Sequence, residues 1–582
     1  MDSKTHSLWM PFPLKSCRWS QVLHCFTVIL AVGLLFVLML LSYTFCELSL
    51  RPHQQQYSNG PDRLVSNETQ TLRTPEGPDP TFPVSDDPGF SPEEWDRIQQ
   101  AVRWAEPDHE ISNASVCTSA AHSTFIINNF KEKYTVGEEV LATIIAKDFT
   151  GTPKRYGGDF FQAKAYSDKL KASVFGEVLD HRNGTYTAQF KLPWAGPVKL
   201  AVRLIHSSEA VHFLKQGRRT YNNHFFFWNY FLGTSQQHGG AKVEEVVECK
   251  VKWPGVVLSS SPRGRCEYHD AHTGLTWQCH KPPTLTCQDR VFHSGGVFTK
   301  HLTALEEVLM DSQHVNRWLT GDSRLISVTA TNSSTVVREP CKPGLPTPVP
   351  AGFFLNDVWT SFVCATRHFT VPDIAQCLRG KHIYIMGDST IRQWFLYLFK
   401  AVPTLHHVYL PINVQMGPFK AVDLKNNIVM HFRSHGLPLH CVKIPVEYFH
   451  YMSSEIDGLP GGPDTVIMFN LCAHLASYPL TYYGYRVWLI RRSVVALLKR
   501  APGTRVIIKT ANTGYNKKHS YRSDWLTMQV DRILREAFRD MGVYIVDVWQ
   551  MTACHYLKDN LHPAPLIVQN EVDILLSFIC PL

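Results

Sequence analysis

Twenty consecutive residues, Phe26 to Phe45, carry no charged side chain. At about 1.5 Å per residue, a helix over this run would span roughly 30 Å, the thickness of a bilayer core. Lys4, Lys15 and Arg18 precede it against the single acid Asp2, and Glu47 and Arg51 follow it. Lys and Arg collect on the cytosolic side of a span. Residues 1–21 are therefore expected as a cytosolic tail and 22–46 as a signal-anchor transmembrane helix. The rest would be luminal, as in a single-pass type II protein of the secretory pathway, with the Golgi its expected station. The competing reading is a cleaved signal peptide, which would make the protein secreted. Its apolar region usually runs only ~7–15 residues, shorter than this one.

Two other features agree with an oxidising compartment. Four N-x-[ST] sequons follow the span, at Asn67, Asn113, Asn183 and Asn332. Of fifteen cysteines, Cys17, Cys25 and Cys46 lie in or beside the span, leaving twelve, an even number that permits full pairing. Cys249, Cys266, Cys279 and Cys287 fall close together, and two local disulfides are expected there. No spacing fits a closed zinc site, so no metal is expected. Lys plus Arg is 58 and Asp plus Glu 50, a net +8 spread thinly over 582 residues. Without a long basic run, a nucleic-acid partner is not expected. At 44% hydrophobic and 19% charged, the chain is neither disordered nor collagen-like.

Residues 47–110 read as a stalk. Gln54, Gln55 and Gln56 stand in a row, and eight prolines fall between Pro52 and Pro92 inclusive. Within it, Ser91-Pro92-Glu93-Glu94 opens a helix through a capping box. From about Thr124 apolar residues alternate, in strands near 123–128, 139–148, 161–167, 185–193 and 198–206. Gly137, Gly151, Gly157-Gly158, Asn183-Gly184 and Gly196-Pro197 punctuate them. This spacing predicts an all-β, immunoglobulin-like sandwich over 111–245. Residues 246–350 form a Cys-rich segment and linker. From 351 to 582, apolar strands at 382–387, 465–470, 504–510 and 543–549 alternate with amphipathic helices. That order predicts a doubly wound α/β domain, with ligands beyond the carboxyl ends of its strands.

One such end reads Gly387-Asp388-Ser389-Thr390, with a helix following. Gly turns the chain, and Ser389 then stands where free N–H groups and the helix dipole favour an oxyanion. A serine needs a base. Asp559-Asn560-Leu561-His562 follows the last strand and can reach the same rim. His562 would take the serine proton and Asp559 orient the imidazole, with Asp547 as the alternative acid. Arg392, one turn after Ser389, is placed to clamp a substrate carboxylate, with His474 as a further polar group.

GDS at 387–389 with DxxH at 559–562 resembles the SGNH/GDSL hydrolases in their PC-esterase branch. The longer chain resembles the neurexophilin and PC-esterase domain (NXPE) family. The stretches that carry this are YGGDFFQAKAYS (156–167), DHRNGTYTAQFKLPWAGPVKLAVRLIHSSE (180–209), MGDSTIRQWFLYL (386–398), VDVWQMT (546–552) and LHP (561–563). The resemblance implies an SGNH-like domain whose oxyanion donors, besides Ser389, would be Gly436 and Asn470. It implies O-acetyl transfer or hydrolysis on glycans, with sialic acid as acceptor, no bound cofactor and acetyl-CoA as a candidate donor. The other reading is a non-catalytic glycoprotein ligand of the neurexophilin type, anchored or secreted, with a cell-surface receptor as partner.

Overall fold

The computed structural model describes residues 89–107, 110–220, 225–298, 302–331, 338–408, 416–514, 523–557 and 559–581. The expected cytosolic tail, the expected span at 22–46, most of the expected stalk, and the sequons at Asn67 and Asn332 lie outside the described residues. Among the described residues no helix is long and apolar enough to cross a membrane.

Over the described residues the chain is mixed α/β, built on three sheets. The first described helix, Pro92–Ala101, starts as its capping box dictates. Ser91 Oγ accepts from Glu94 N–H, and Glu94 Oε2 accepts from Ser91 N–H, both at 3.2 Å. It buries Trp95 and Ile98.

A twelve-stranded sheet holds the N-terminal β region. Alternation shows cleanly in Glu139–Ile145 and Thr185–Lys191, which turn Val140, Ala142, Ile144, Tyr186, Ala188 and Phe190 into one core. The strand Ala172–Asp180 has no such period, because its first residues, Ala172 to Val174, are all buried. The sheets run across the boundaries expected at 245/246 and 350/351. Ile326–Thr329 and Gly352–Leu355 pair back onto Gly196–His206 and Ala172–Asp180. In the second sheet, of six strands, Arg290–Phe298 pairs with Ile444–Pro445 from the C-terminal region.

The third sheet has seven strands. Its parallel centre runs Ile428–Ser434, His382–Gly387, Thr465–Phe469, Arg505–Lys509, Tyr544–Val546. Phe419–Asp423 and His406–Val408 extend one edge antiparallel. Helices cover both faces. Ile391, Trp394 and Leu398 of Ser389–Ala401 pack with Val568, Val572 and Leu575 of Pro565–Ile579 against Ile383, Ile385, Val466 and Met468. Val487, Ile490 and Val494 of Leu480–Arg500 pack with Val530, Ile533 and Leu534 of Asp524–Ala537 against Ile467, Phe469, Val506 and Ile508. A strand buried on both faces must be apolar throughout, which is why these strands read as continuous runs.

Among the described residues four disulfides form: Cys249–Cys279, Cys266–Cys287, Cys341–Cys364 and Cys377–Cys580. The first two are the local pair expected, Cys249 and Cys279 lying directly opposite on neighbouring strands. They suggest a secreted or luminal protein. Full pairing does not occur, since Cys117, Cys441, Cys472 and Cys554 stay as thiols.

His206 and His293 are among the histidines enclosed in these cores. His206 bonds Ser523 Oγ at 2.7 Å, and His293 bonds the Leu439 carbonyl at 3.0 Å. Burial pushes His206 down to about 3 and His293 down to about 4. Both stay neutral when folded, whereas the unfolded chain binds their protons below about pH 6.5. Their contribution is therefore whole above that pH and is lost as pH falls, by up to about 1.4 kcal/mol per pH unit for each. Urea midpoints measured from pH 7.5 downward are expected to fall steadily below about pH 6.5; a flat profile to pH 5 would contradict this account.

Candidate active site

The site begins where the central strand His382–Gly387 ends. Gly387 has φ 149°, and a Cβ there would lie 1.9 Å from Asn470 Oδ1. Only glycine allows the strand to turn this close to its neighbour. The next residue, Asp388, is the N-cap of the helix Ser389–Ala401. It is wholly buried. Its Oδ1 accepts from Thr390 N–H at 2.8 Å, Thr390 Oγ1 at 2.7 Å and Asn470 Nδ2 at 2.9 Å; its Oδ2 accepts from Ala473 N–H at 3.1 Å. Burial alone would raise this carboxyl. The His474 charge and the bonds from Asn470 and Thr390 outweigh it and hold the carboxyl well below the usual range.

Ser389 is thereby fixed as the first residue of the helix, where N–H groups have no intrahelical acceptor. It is half-buried, His562 is exposed, and Ser389 Oγ lies 2.7 Å from His562 Nε2. The two come from positions 173 apart. Several contacts hold the histidine's loop. Asn560 Oδ1 accepts from His562 N–H at 3.2 Å, Asn512 donates to the Leu561 carbonyl at 2.8 Å, and Gln393 donates to the Pro563 carbonyl at 3.2 Å. Asp559 Oδ2 pairs with the guanidinium of Arg203, which arrives from the strand Gly196–His206 of the N-terminal sheet.

The other sequence candidates are placed as follows. Asp547 is engaged away from His562. Its Oδ1 meets Arg535 Nη2 and Trp549 N–H, each at 3.0 Å, and its Oδ2 meets Gln550 Nε2 at 3.2 Å. Asn470 differs from expectation. Its Oδ1 accepts from Asp388 N–H at 3.0 Å, and its two amide hydrogens go to Asp388 Oδ1 and Thr390 Oγ1. It braces the turn from within and offers no N–H to the cleft. Gly436 follows the strand Ile428–Ser434, whose end is in register with Gly387. Its φ is 79°, and a Cβ would crowd the His450 carbonyl at 3.0 Å. His474 bonds buried His435 at 2.9 Å across their ring nitrogens. Burial, then the charges of His474 and Arg486, push His435 well down. Arg392 is half-buried, 3.4 Å from Met416 Sδ, and burial lowers its guanidinium. Asn113 and Asn183 are both exposed, as glycan acceptors must be. Among the described residues no cluster of His, Cys, Asp and Glu is arranged to hold a metal.

Sequence reasoning passed over Asp388, Arg203 and Asn512. Asp388 carried a readable signal, since Asp just before a helix is a favoured N-cap. Arg203 carried none, standing in an alternating strand far from either motif.

Comparisons with known proteins match two parts of the chain. Residues 110–308 match the family described as Neurexophilin, and residues 359–580 match "NXPE family member 4-like, C-terminal domain". Among solved structures, the bacterial integrin-binding protein invasin aligns at 11% identity and TM-score 0.12, over 55% of this chain. The alignment spans 60% of invasin's own length. The Yersinia pseudotuberculosis adhesin InvE aligns at 11% identity and TM-score 0.13, over 55% of this chain and 95% of its own. Neither carries an argument about fold or function at such scores. With a neurexophilin region followed by the C-terminal domain of an NXPE member, this chain belongs to the NXPE family.

Proposed function

We propose that the protein is a serine-dependent O-acyltransferase or esterase of the SGNH type, acting on glycans in the secretory lumen. The observation that carries this reading is the 2.7 Å contact between Ser389 Oγ and His562 Nε2 at a parallel strand's carboxyl end. Ser389 Oγ attacks the carbonyl carbon of an acyl donor, an acetyl thioester such as acetyl-CoA, as its proton passes to His562 Nε2. The new C–O bond makes a tetrahedral oxyanion, which faces the Ser389 N–H and the Gly436 backbone. Collapse breaks the bond to the leaving group, which takes the proton from His562. A glycan hydroxyl, or water, then attacks the acyl-serine by the reverse relay. Asp559 holds the imidazole tautomer throughout. Arg392 and His474 bind the acceptor, which a sialic acid carboxylate would suit.

The neurexophilin match over 110–308 favours a second reading, a glycoprotein ligand for a cell-surface receptor. One comparison separates them: O-acetyl analysis of cell-surface sialic acids in cells expressing the full chain or Ser389→Ala. Acetylation is expected to rise with the native chain alone. An equal rise with Ser389→Ala would exclude serine catalysis, and no rise with either is what the ligand reading expects.

A further inference from the structure

The N-terminal sheet reaches into the proposed catalytic loop. Arg203 is 6% exposed. Its Nη1 pairs with Asp559 Oδ2, its Nη2 donates to Gln162 Oε1 at 2.6 Å, and its Cζ lies 5.0 Å from the Trp318 ring centre. Gln162 and Trp318 both belong to strands of that sheet, so the guanidinium is fixed before it meets Asp559. Lys164, two residues after Gln162, donates to the His555 carbonyl at 3.0 Å. Ser173 Oγ lies 3.7 Å from Cys554 Sγ. Between Cys554 and Pro565 the described residues form neither helix nor strand. That segment carries His562 and takes two anchors from the N-terminal sheet, with a third at Cys554, the last residue of the helix before it.

A carboxylate has two acceptor oxygens. With Oδ2 on Arg203, Oδ1 is the one His562 would use. An aspartate that orients a histidine must stay ionised and still while the imidazole gains a proton. Arg203 and Asp559 expose only 7% and 13% of their side chains, so each is the other's main charged partner, and removing one partner of a poorly hydrated pair is costly. We infer that Arg203 is a positioning residue of the Ser389–His562 site, acting through Asp559, so that the N-terminal sheet is part of the catalytic unit. This rests on the serine reading above. The opposite role, in which Arg203 draws Asp559 away from His562, predicts the opposite sign on its removal.

The test uses the full-length chain and a fluorophosphonate probe. Ser389 Oγ displaces fluoride from phosphorus, forming O–P and breaking P–F, and the serine proton leaves through His562. Labelling rates would be compared for the native chain, Arg203→Gln, Arg203→Lys, Asp559→Asn and Arg203→Gln with Asp559→Asn. Lys131→Met, which removes the surface ion pair to Glu138, is the control. Thermal midpoints would show that each is folded. Arg203→Gln is expected to label about ten- to a hundred-fold more slowly, the range seen for partners that orient a site's ligands. Arg203→Lys should recover part of that, and Lys131→Met should match the native chain. The double variant should be no slower than Asp559→Asn alone, because a residue acting through Asp559 has nothing left to position. Undiminished labelling in Arg203→Gln, or a further loss in the double variant, would overturn the inference while leaving the serine in place. Failure of the native chain to label at Ser389 would overturn the serine reading, and this inference with it.

Discussion

Ser389→Ala is expected to reduce acyl transfer by about a thousand-fold or more, since removing a nucleophile leaves only binding and oxyanion stabilisation. Stability should hardly change. The side chain is half-buried, and its contact is with an exposed imidazole, so the expected cost is about 0.5 kcal/mol or less. The two readouts belong together. Turnover of an acetyl ester by the purified chain should vanish, while the urea midpoint stays in place. Substantial remaining turnover would remove Ser389 from the chemistry. A large fall in midpoint would mean that the hydroxyl is chiefly structural.

Gly387→Ala should have the largest effect on folding. The new methyl would meet Asn470 Oδ1 at 1.9 Å, the Asn470 carbonyl at 2.7 Å and Ile391 Cγ2 at 2.9 Å. None of these can yield cheaply. Asn470 is pinned by three hydrogen bonds to the Asp388–Thr390 turn, and its carbonyl is backbone. Strain at a positive φ adds to the collision. A loss of about 3 kcal/mol or more is expected, at the upper end for single substitutions. Denaturant titration would measure it. Any folded fraction should also label poorly, because relief of the clash must move the turn that aims Ser389. A variant of native stability would show that the turn is far softer than its packing implies.

Much of this was legible in the order of residues. The strands of the C-terminal sheet are apolar enough to announce burial on both faces, and GDS sits at a strand end as expected, whereas DxxH is reached only after a short helix, Trp549–Cys554, that follows the last strand, Tyr544–Val546. The Ser389–His562 contact followed from those two facts. What could not be read was whatever depends on partners across the fold. Asn470 looks like a donor to the cleft until Asp388 and Thr390 take up its amide. Asp559 looks like a partner for His562 alone until Arg203 appears, 356 positions earlier in the chain. Ala172–Asp180 was overlooked because burial of its opening residues erased the alternation that betrays a strand. The twelve cysteines from Cys117 onward permitted full pairing, but Cys472 and Cys554 are sealed in the interior, where packing alone accounts for them.

The Cys377–Cys580 bridge closes a separation of 203 residues, and both Ser389 and His562 lie inside it. A single proteolytic nick in an exposed loop between them would leave two fragments still joined by sulfur. Ser389 and His562 would then remain on one covalent body, and cleavage would register on a gel only after reduction.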